Sequence, residues 1–153
     1  MTCFVFNEWL LHDLFGENEV DAQKSAQDVL KKVVVKHDRI AFMLGTSWTK
    51  KTWDLMKKAK DDKTRSASKL LQAILYNPEI TRIVHLKNAQ PIPQPLADQI
   101  PPDDLYLFQT YFAANVDALI TTDRKLLKTI DAIQDANVVI RLKQDFVKEY
   151  LGD

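Results

Sequence analysis

The sequence predicts an α/β protein, a single domain over residues 1–153 with a central parallel sheet flanked by helices on both faces. Three observations carry that expectation. Short apolar runs alternate with longer stretches of helical periodicity along all 153 residues, the pattern of strands joined by helical crossovers. The runs are apolar at consecutive positions, as in Cys3-Phe4-Val5-Phe6 and Ala118-Leu119-Ile120, which suits strands covered on both faces. A chain that is 46% hydrophobic and 27% charged has globular composition and enough length for a real core.

The elements follow in order. Cys3–Phe6 reads as the first strand. Leu10, Leu11, Leu14 and Phe15 lie at helical spacing, and Gly16 can end that helix. Asp21 to Val35 reads as a second helix, with Ala22, Ala26, Val29, Leu30 and Val33 on one face. Arg39–Leu44 is the second strand. Gly45-Thr46-Ser47 turns the chain, and Ser47 is an expected N-cap for a helix from Trp48 to Lys60. A further helix opens at Asp62 and ends before Asn77-Pro78. Ile80–Leu86 is the third strand. A segment with Pro91, Pro93, Pro95, Pro101 and Pro102 is expected to run along the surface. Then come a helix from Asp104 to Asn115, a strand Ala118–Thr121, a helix Lys125–Ile133, a strand Val138–Ile140 and a helix Asp145–Leu151.

Composition removes several classes of function. No run of 18 apolar residues exists to span a membrane. Asn7, Glu8, His12 and Asp13 interrupt any signal-peptide pattern. The single cysteine, Cys3, forms no internal disulfide, sits in an apolar run and is expected to pack in the core, so a cytoplasmic setting is the default. With Gly16, Gly45 and Gly152 as the only glycines, a phosphate-cradling glycine loop is excluded. His12, His37 and His85 show no metal-ligand spacing. Net charge is zero but segregated. Residues 50–69 carry eight Lys and Arg against Asp54, Asp61 and Asp62. That stretch fits a phosphate-binding surface and equally a solvated helix face.

The chemistry concentrates between Asp104 and Asp123, which stand nineteen residues apart. Asp104 opens a helix, and Asp123 follows the apolar strand that the helix leads into. A helix followed by a parallel strand can return both carboxylates to the sheet edge where ligands bind in open α/β sheets. Two carboxylates there invite a hard divalent cation. The pattern of Asp, helix and Leu119-Ile120-Thr121-Thr122-Asp123 resembles the C-terminal half of PIN-domain nucleases. The ending Asn137–Val147, a strand, a polar turn and a helix with Phe146 in its first turn, resembles that family too.

The resemblance implies a PIN-like fold and a metal-dependent endoribonuclease using Mg²⁺ or Mn²⁺, of the kind found as the toxin in toxin–antitoxin pairs. It implies RNA as substrate, and it leaves open an antitoxin or other protein partner and a homodimer; no membrane is involved. Asp104, Asp123 and Asn7 are the expected catalytic groups, and Asp104, Asp123, Asn7 and Glu8 the expected metal ligands. Thr121, Lys50, Lys51, Lys57, Lys58 and Trp48 are the expected nucleic-acid contacts, because aromatics among cations stack on single strands. Trp53 is expected to pack against the sheet instead. The chain departs from the family at the first acidic position, where it has Asn7, and at the central one, where Lys50 and Lys51 stand and Asp54 comes one turn late. Lys125 replaces a further acid. Alternation along a strand would point Glu8 away from Asn7. These departures favour a rival reading, a catalytically degenerate PIN-like module that binds RNA or a protein without cutting. A generic α/β regulator is the third reading.

Overall fold

The computed structural model describes residues 1–89, 91–133 and 135–152. Its centre is one sheet of five strands, β1 (Cys3–Phe6), β2 (Arg39–Met43), β3 (Thr81–Val84), β4 (Ala118–Thr121) and β5 (Ile140–Leu142), in the order β3-β2-β1-β4-β5. Every pairing is parallel. The helices are α1 (Trp9–Leu14), α2 (Val20–Lys36), α3 (Ser47–Lys57), α4 (Asp62–Leu75), α5 (Leu96–Gln99), α6 (Leu105–Ala113), α7 (Arg124–Asp131) and α8 (Lys143–Leu151). Among the described residues no helix is long and apolar enough to cross a membrane.

Alternation along β1 divides the interior into two layers. Phe4 and Phe6 join a core with residues of α1, α2, α3, α4 and α8. Cys3 and Val5 join a second core with residues of α5, α6 and α7 on the other face. All four side chains are buried, as consecutive apolar residues in a doubly covered strand must be. The first core is strongly aromatic. Phe146 is fully buried, meets Phe4 edge-on at 5.1 Å and stacks on Tyr150 at 4.9 Å. The Tyr150 hydroxyl donates to Asp38 at 2.6 Å, which fastens α8 to the turn before β2. Burial and the Asp38 charge hold that phenol above its ordinary pKa. Cys3 is 1% exposed, and burial pushes its thiol up to about 11, so it is a packed core residue, as its apolar run implies.

Besides the third strand, which is Thr81–Val84 and not Ile80–Leu86, three expectations change. The proline-rich segment is not purely a surface strap, because Leu96 and Ile100 are buried against the second core and the short α5 forms between them. The last strand is β5, Ile140–Leu142, two residues later than Val138–Ile140. The Val139 N–H donates to the Tyr111 hydroxyl at 3.0 Å, so it is spent before the ladder begins. Third, Thr46 rather than Ser47 is the N-cap of α3; the Thr49 hydroxyl accepts from its N–H at 3.1 Å.

The strand order decides where a site can form. From β1 the chain moves outward through β2 and β3, then returns to β1's other side for β4 and β5. The switch therefore falls between β1 and β4. The connection leaving β1, through α1 and α2, packs on one face, and α7, which leaves β4, packs on the other. Diverging connections open a crevice at the carboxyl ends of these two strands, the place where open α/β sheets bind ligands.

Candidate active-site cleft

Asn7 immediately follows β1, and Thr121 ends β4, so the switch point sets them side by side. The Asn7 amide donates to the Thr121 hydroxyl at 3.1 Å, and the Asp123 N–H donates to the same oxygen at 3.1 Å. Thr121 is fully buried. One buried hydroxyl thus joins the first and last residues of the expected site. The other end of the Asn7 amide is also taken, since its carbonyl oxygen accepts from the Glu8 N–H at 2.5 Å. Asp123 caps α7 by accepting from the Leu126 N–H at 3.0 Å through one oxygen. Its capping role and its site position are therefore compatible.

Beside this corner lies a cleft of about 640 Å³, lined by residues from three connections. Asn7 and Glu8 come from the β1 exit. Gly45, Thr46 and Ser47 come from the turn after β2, where Gly45 holds φ +80° and a side chain would be strained. Asp103, Asp104 and Tyr106 come from the entry to α6. Asp104 closes a short turn over Pro102–Asp104 and is the N-cap of α6.

The electrostatics of Asp104 define the site. Burial raises its pKa above the ordinary carboxylate value, and the negative charges of Asp123, Asp103 and Glu8 raise it further. No cation is among the causes. The charges of Asp123 and Glu8 thus reach Asp104 at this sheet edge; Asn7, Glu8 and Asp104 line the cleft, whereas Asp123, at the end of β4, stands beside it and is not part of its lining. The lysines expected to crowd this site are elsewhere: Lys50 and Lys51 do not line the cleft, and Lys51 pairs with Glu17 at 3.6 Å. Glu8 does not point away from Asn7. The strand ends at Phe6 and the chain turns into α1, so strand alternation no longer applies and both residues face the cleft.

Among the described residues no three His, Cys, Asp or Glu side chains stand close enough to hold an ion by themselves. A hard cation such as Mg²⁺ does not require that, since it uses one or two carboxylates and completes its shell with water and phosphate oxygen. A half-buried carboxylate raised by three neighbouring acids fits such a cation. Asp104 and Asp123, with Glu8 near them, are the residues that would hold it.

Two expected nucleic-acid contacts are corrected. Thr121 has no exposed surface and serves as the lock described above. Trp48 is 3% exposed and stacks on Phe42 at 5.4 Å, so it offers no face to a base. The tryptophan at the surface is Trp53. Lys50, Lys57 and Lys58 are exposed and Lys51 is half-buried. Tyr106 and Ser47 belong to the cleft and carried no sequence signal. Burial and the Glu8 charge raise the Tyr106 phenol, a hydrogen bond with the Ser47 side chain opposes this, and Asp104 adds to the rise. The phenol stays protonated at neutral pH and is available as a donor.

No known protein family matches the chain, and no curated protein does. Among solved structures the chain is similar to VapBC2 from Rickettsia felis, determined bound to a DNA fragment from its promoter. The similarity has a TM-score of 0.47 at 13% identity over 92% of this chain and 98% of that one.

Proposed function

We propose that the chain is a metal-dependent endoribonuclease of PIN type acting as the toxin of a toxin–antitoxin pair. The single observation that supports it most is Asp104: a half-buried carboxylate at the topological switch point, raised by burial and by Asp123, Asp103 and Glu8 with no cation opposing them. The Asp104 and Thr121-Thr122-Asp123 pattern is the one that resembles the family's site. The toxin assignment rests on that resemblance alone.

Asp104 and Asp123 would hold Mg²⁺ or Mn²⁺, with Glu8 contributing negative charge. When bound, the cation polarises a phosphodiester and lowers the pKa of an attacking water. The protein's own groups do the rest. Thr121 fixes Asn7 and Asp123 relative to each other. The Tyr106 hydroxyl lies on the cleft wall as an uncharged donor for a phosphate oxygen, held by the Ser47 side chain, and a neutral donor avoids adding charge that would compete with the cation.

The purified protein should cut single-stranded RNA with Mn²⁺ or Mg²⁺ and stop in EDTA. Asp104→Asn and Asp123→Asn should each abolish cutting with the fold retained, because Asn caps α7 about as well as Asp at position 123 and the Asp104 side chain makes no capping bond to lose. Cutting that survives both changes would remove the metal mechanism. The second reading, a degenerate module that binds without cutting, is favoured by Asn7, which brings no charge and whose carbonyl is already occupied. Asn7→Asp separates the two readings: it restores an acid at the family's first position, and cutting that appears only in this variant assigns the natural chain to the degenerate class.

A further inference from the structure

The α3–α4 pair carries a surface that the cleft does not use. Residues 58–61 fold α4 back beside α3, and the outer faces of the two helices read as regular stripes. On α3, Lys50, Trp53 and Lys57 are exposed at helical spacing; on α4 and its cap, Arg65, Lys69, Gln72 and Tyr76 are exposed at helical spacing. The stripes meet where Trp53 and Tyr76 stack, with ring centroids 6.0 Å apart and planes 26° from parallel. Trp53 is 37% exposed and Tyr76 65% exposed, so the stack is open to solvent on its outer side.

Its surroundings are cationic. Residues 50–69 hold eight Lys and Arg against three Asp, an excess of five positive charges in a chain whose net charge is zero. Among the described residues, Lys50, Lys57, Arg65 and Lys69 form no ion pair. An exposed aromatic pair flanked by unpaired cations is complementary to a ligand with flat π-faces and regularly spaced negative charge. A folded acidic protein supplies the charge without the regular stack of rings; single-stranded nucleic acid supplies both.

We propose that the Trp53–Tyr76 stack is a base-stacking platform for single-stranded nucleic acid, with Lys50, Lys57, Arg65 and Lys69 holding the phosphates on either side. The platform lies outside the cleft and does not depend on cleavage. Under the function proposed above its ligand is RNA.

The test is binding in EDTA, where a metal-dependent nuclease does not cut and a degenerate one behaves alike. Fluorescein-labelled dodecauridine is titrated by anisotropy at several salt concentrations. The wild type should bind, and its intrinsic fluorescence should be quenched, because Trp53 is exposed while Trp9 and Trp48 are 6% and 3% exposed. Trp53→Ala with Tyr76→Ala should weaken binding about five- to a hundredfold, the fold-change that corresponds to stacking one base. Trp53→Phe should retain most of the affinity. The double change should leave the salt dependence intact, whereas Lys50→Ala, Lys57→Ala and Lys69→Ala should lower the slope of log affinity against log salt by about 0.7 per lost contact. A baseless sugar-phosphate oligomer should bind the wild type and the double variant equally. Three results would overturn the proposal: no binding by the wild type, unchanged affinity in the double variant, or an oligoglutamate that binds more tightly than dodecauridine with the same dependence on Trp53. The last would assign the surface to an acidic protein partner.

Discussion

Asp104 is a residue whose ionised form the fold disfavours. Its folded pKa lies above the unfolded value because of burial and then the charges of Asp123, Asp103 and Glu8. Below the unfolded pKa, about 3.9 for Asp, both states are protonated and the residue costs nothing. As pH rises through the folded pKa the native state must give up a proton it holds more tightly than the unfolded chain, and stability falls. Above that range the destabilisation is fully present. Asp104→Asn, measured by thermal unfolding in EDTA, should therefore raise Tm at neutral pH and give no gain below about pH 3.9. A Tm unchanged at neutral pH would mean that Asp104 does not feel the neighbouring acids. The two aspartates were legible in the sequence because each sits where an element begins or ends. Tyr106 and Ser47 were not, because a tyrosine inside a helix and a serine at its start read as ordinary helical residues.

At the scale of elements, the site is held by contacts between the ends of β1, β4 and α7, and those contacts converge on Thr121. Its buried oxygen accepts from the Asn7 amide and the Asp123 N–H. Thr121→Val keeps the shape and removes the acceptor of both donors, at a combined cost of about 1–3 kcal/mol, since both bonds are part-buried and water meets the donors in part. Unfolding in urea should show that loss, and Thr121→Ser should recover most of it; equal stability of the valine variant would show that the lock contributes nothing. Elements bounded by strong local signals were readable. Cys3–Phe6 and Ala118–Thr121 match the observed strands residue for residue, because apolar runs of four residues between polar turns have few alternatives. The misplacements have tertiary causes. β5 begins late because the Tyr111 hydroxyl takes the Val139 N–H, a contact across 28 positions. The α5 turn is four residues long and forms because Leu96 and Ile100 find the second core. The two tryptophans exchanged places because the inward face of α3 is set by Trp48, Thr49 and Thr52, all buried, and neither tryptophan's neighbours in sequence reveal that.

For the whole molecule, strand order is the feature that makes a site. Placing β1 between β2 and β4 brings the chain's beginning, at Asn7 and Glu8, to residues more than a hundred positions later. No local pattern states that order; alternation of strands and helices predicts a parallel sheet but leaves the sequence of strands across it open. The observed order brings Asn7, Glu8, Asp104 and Asp123 to one edge and leaves the cationic α3–α4 surface outside the cleft. A neutral protein thus separates an acidic crevice from a basic face. Calorimetric titration of the metal-free protein with Mn²⁺ tests the proposed cation site in the crevice without reference to RNA or cutting. The expected result is binding at neutral pH that weakens as the solution is acidified and Asp104 takes up its proton. Affinity should fall by more than about tenfold in Asp104→Asn and in Asp123→Asn, since even residues outside a metal's inner sphere typically contribute that much. Mn²⁺ affinity unchanged in both variants would contradict the proposed cation site.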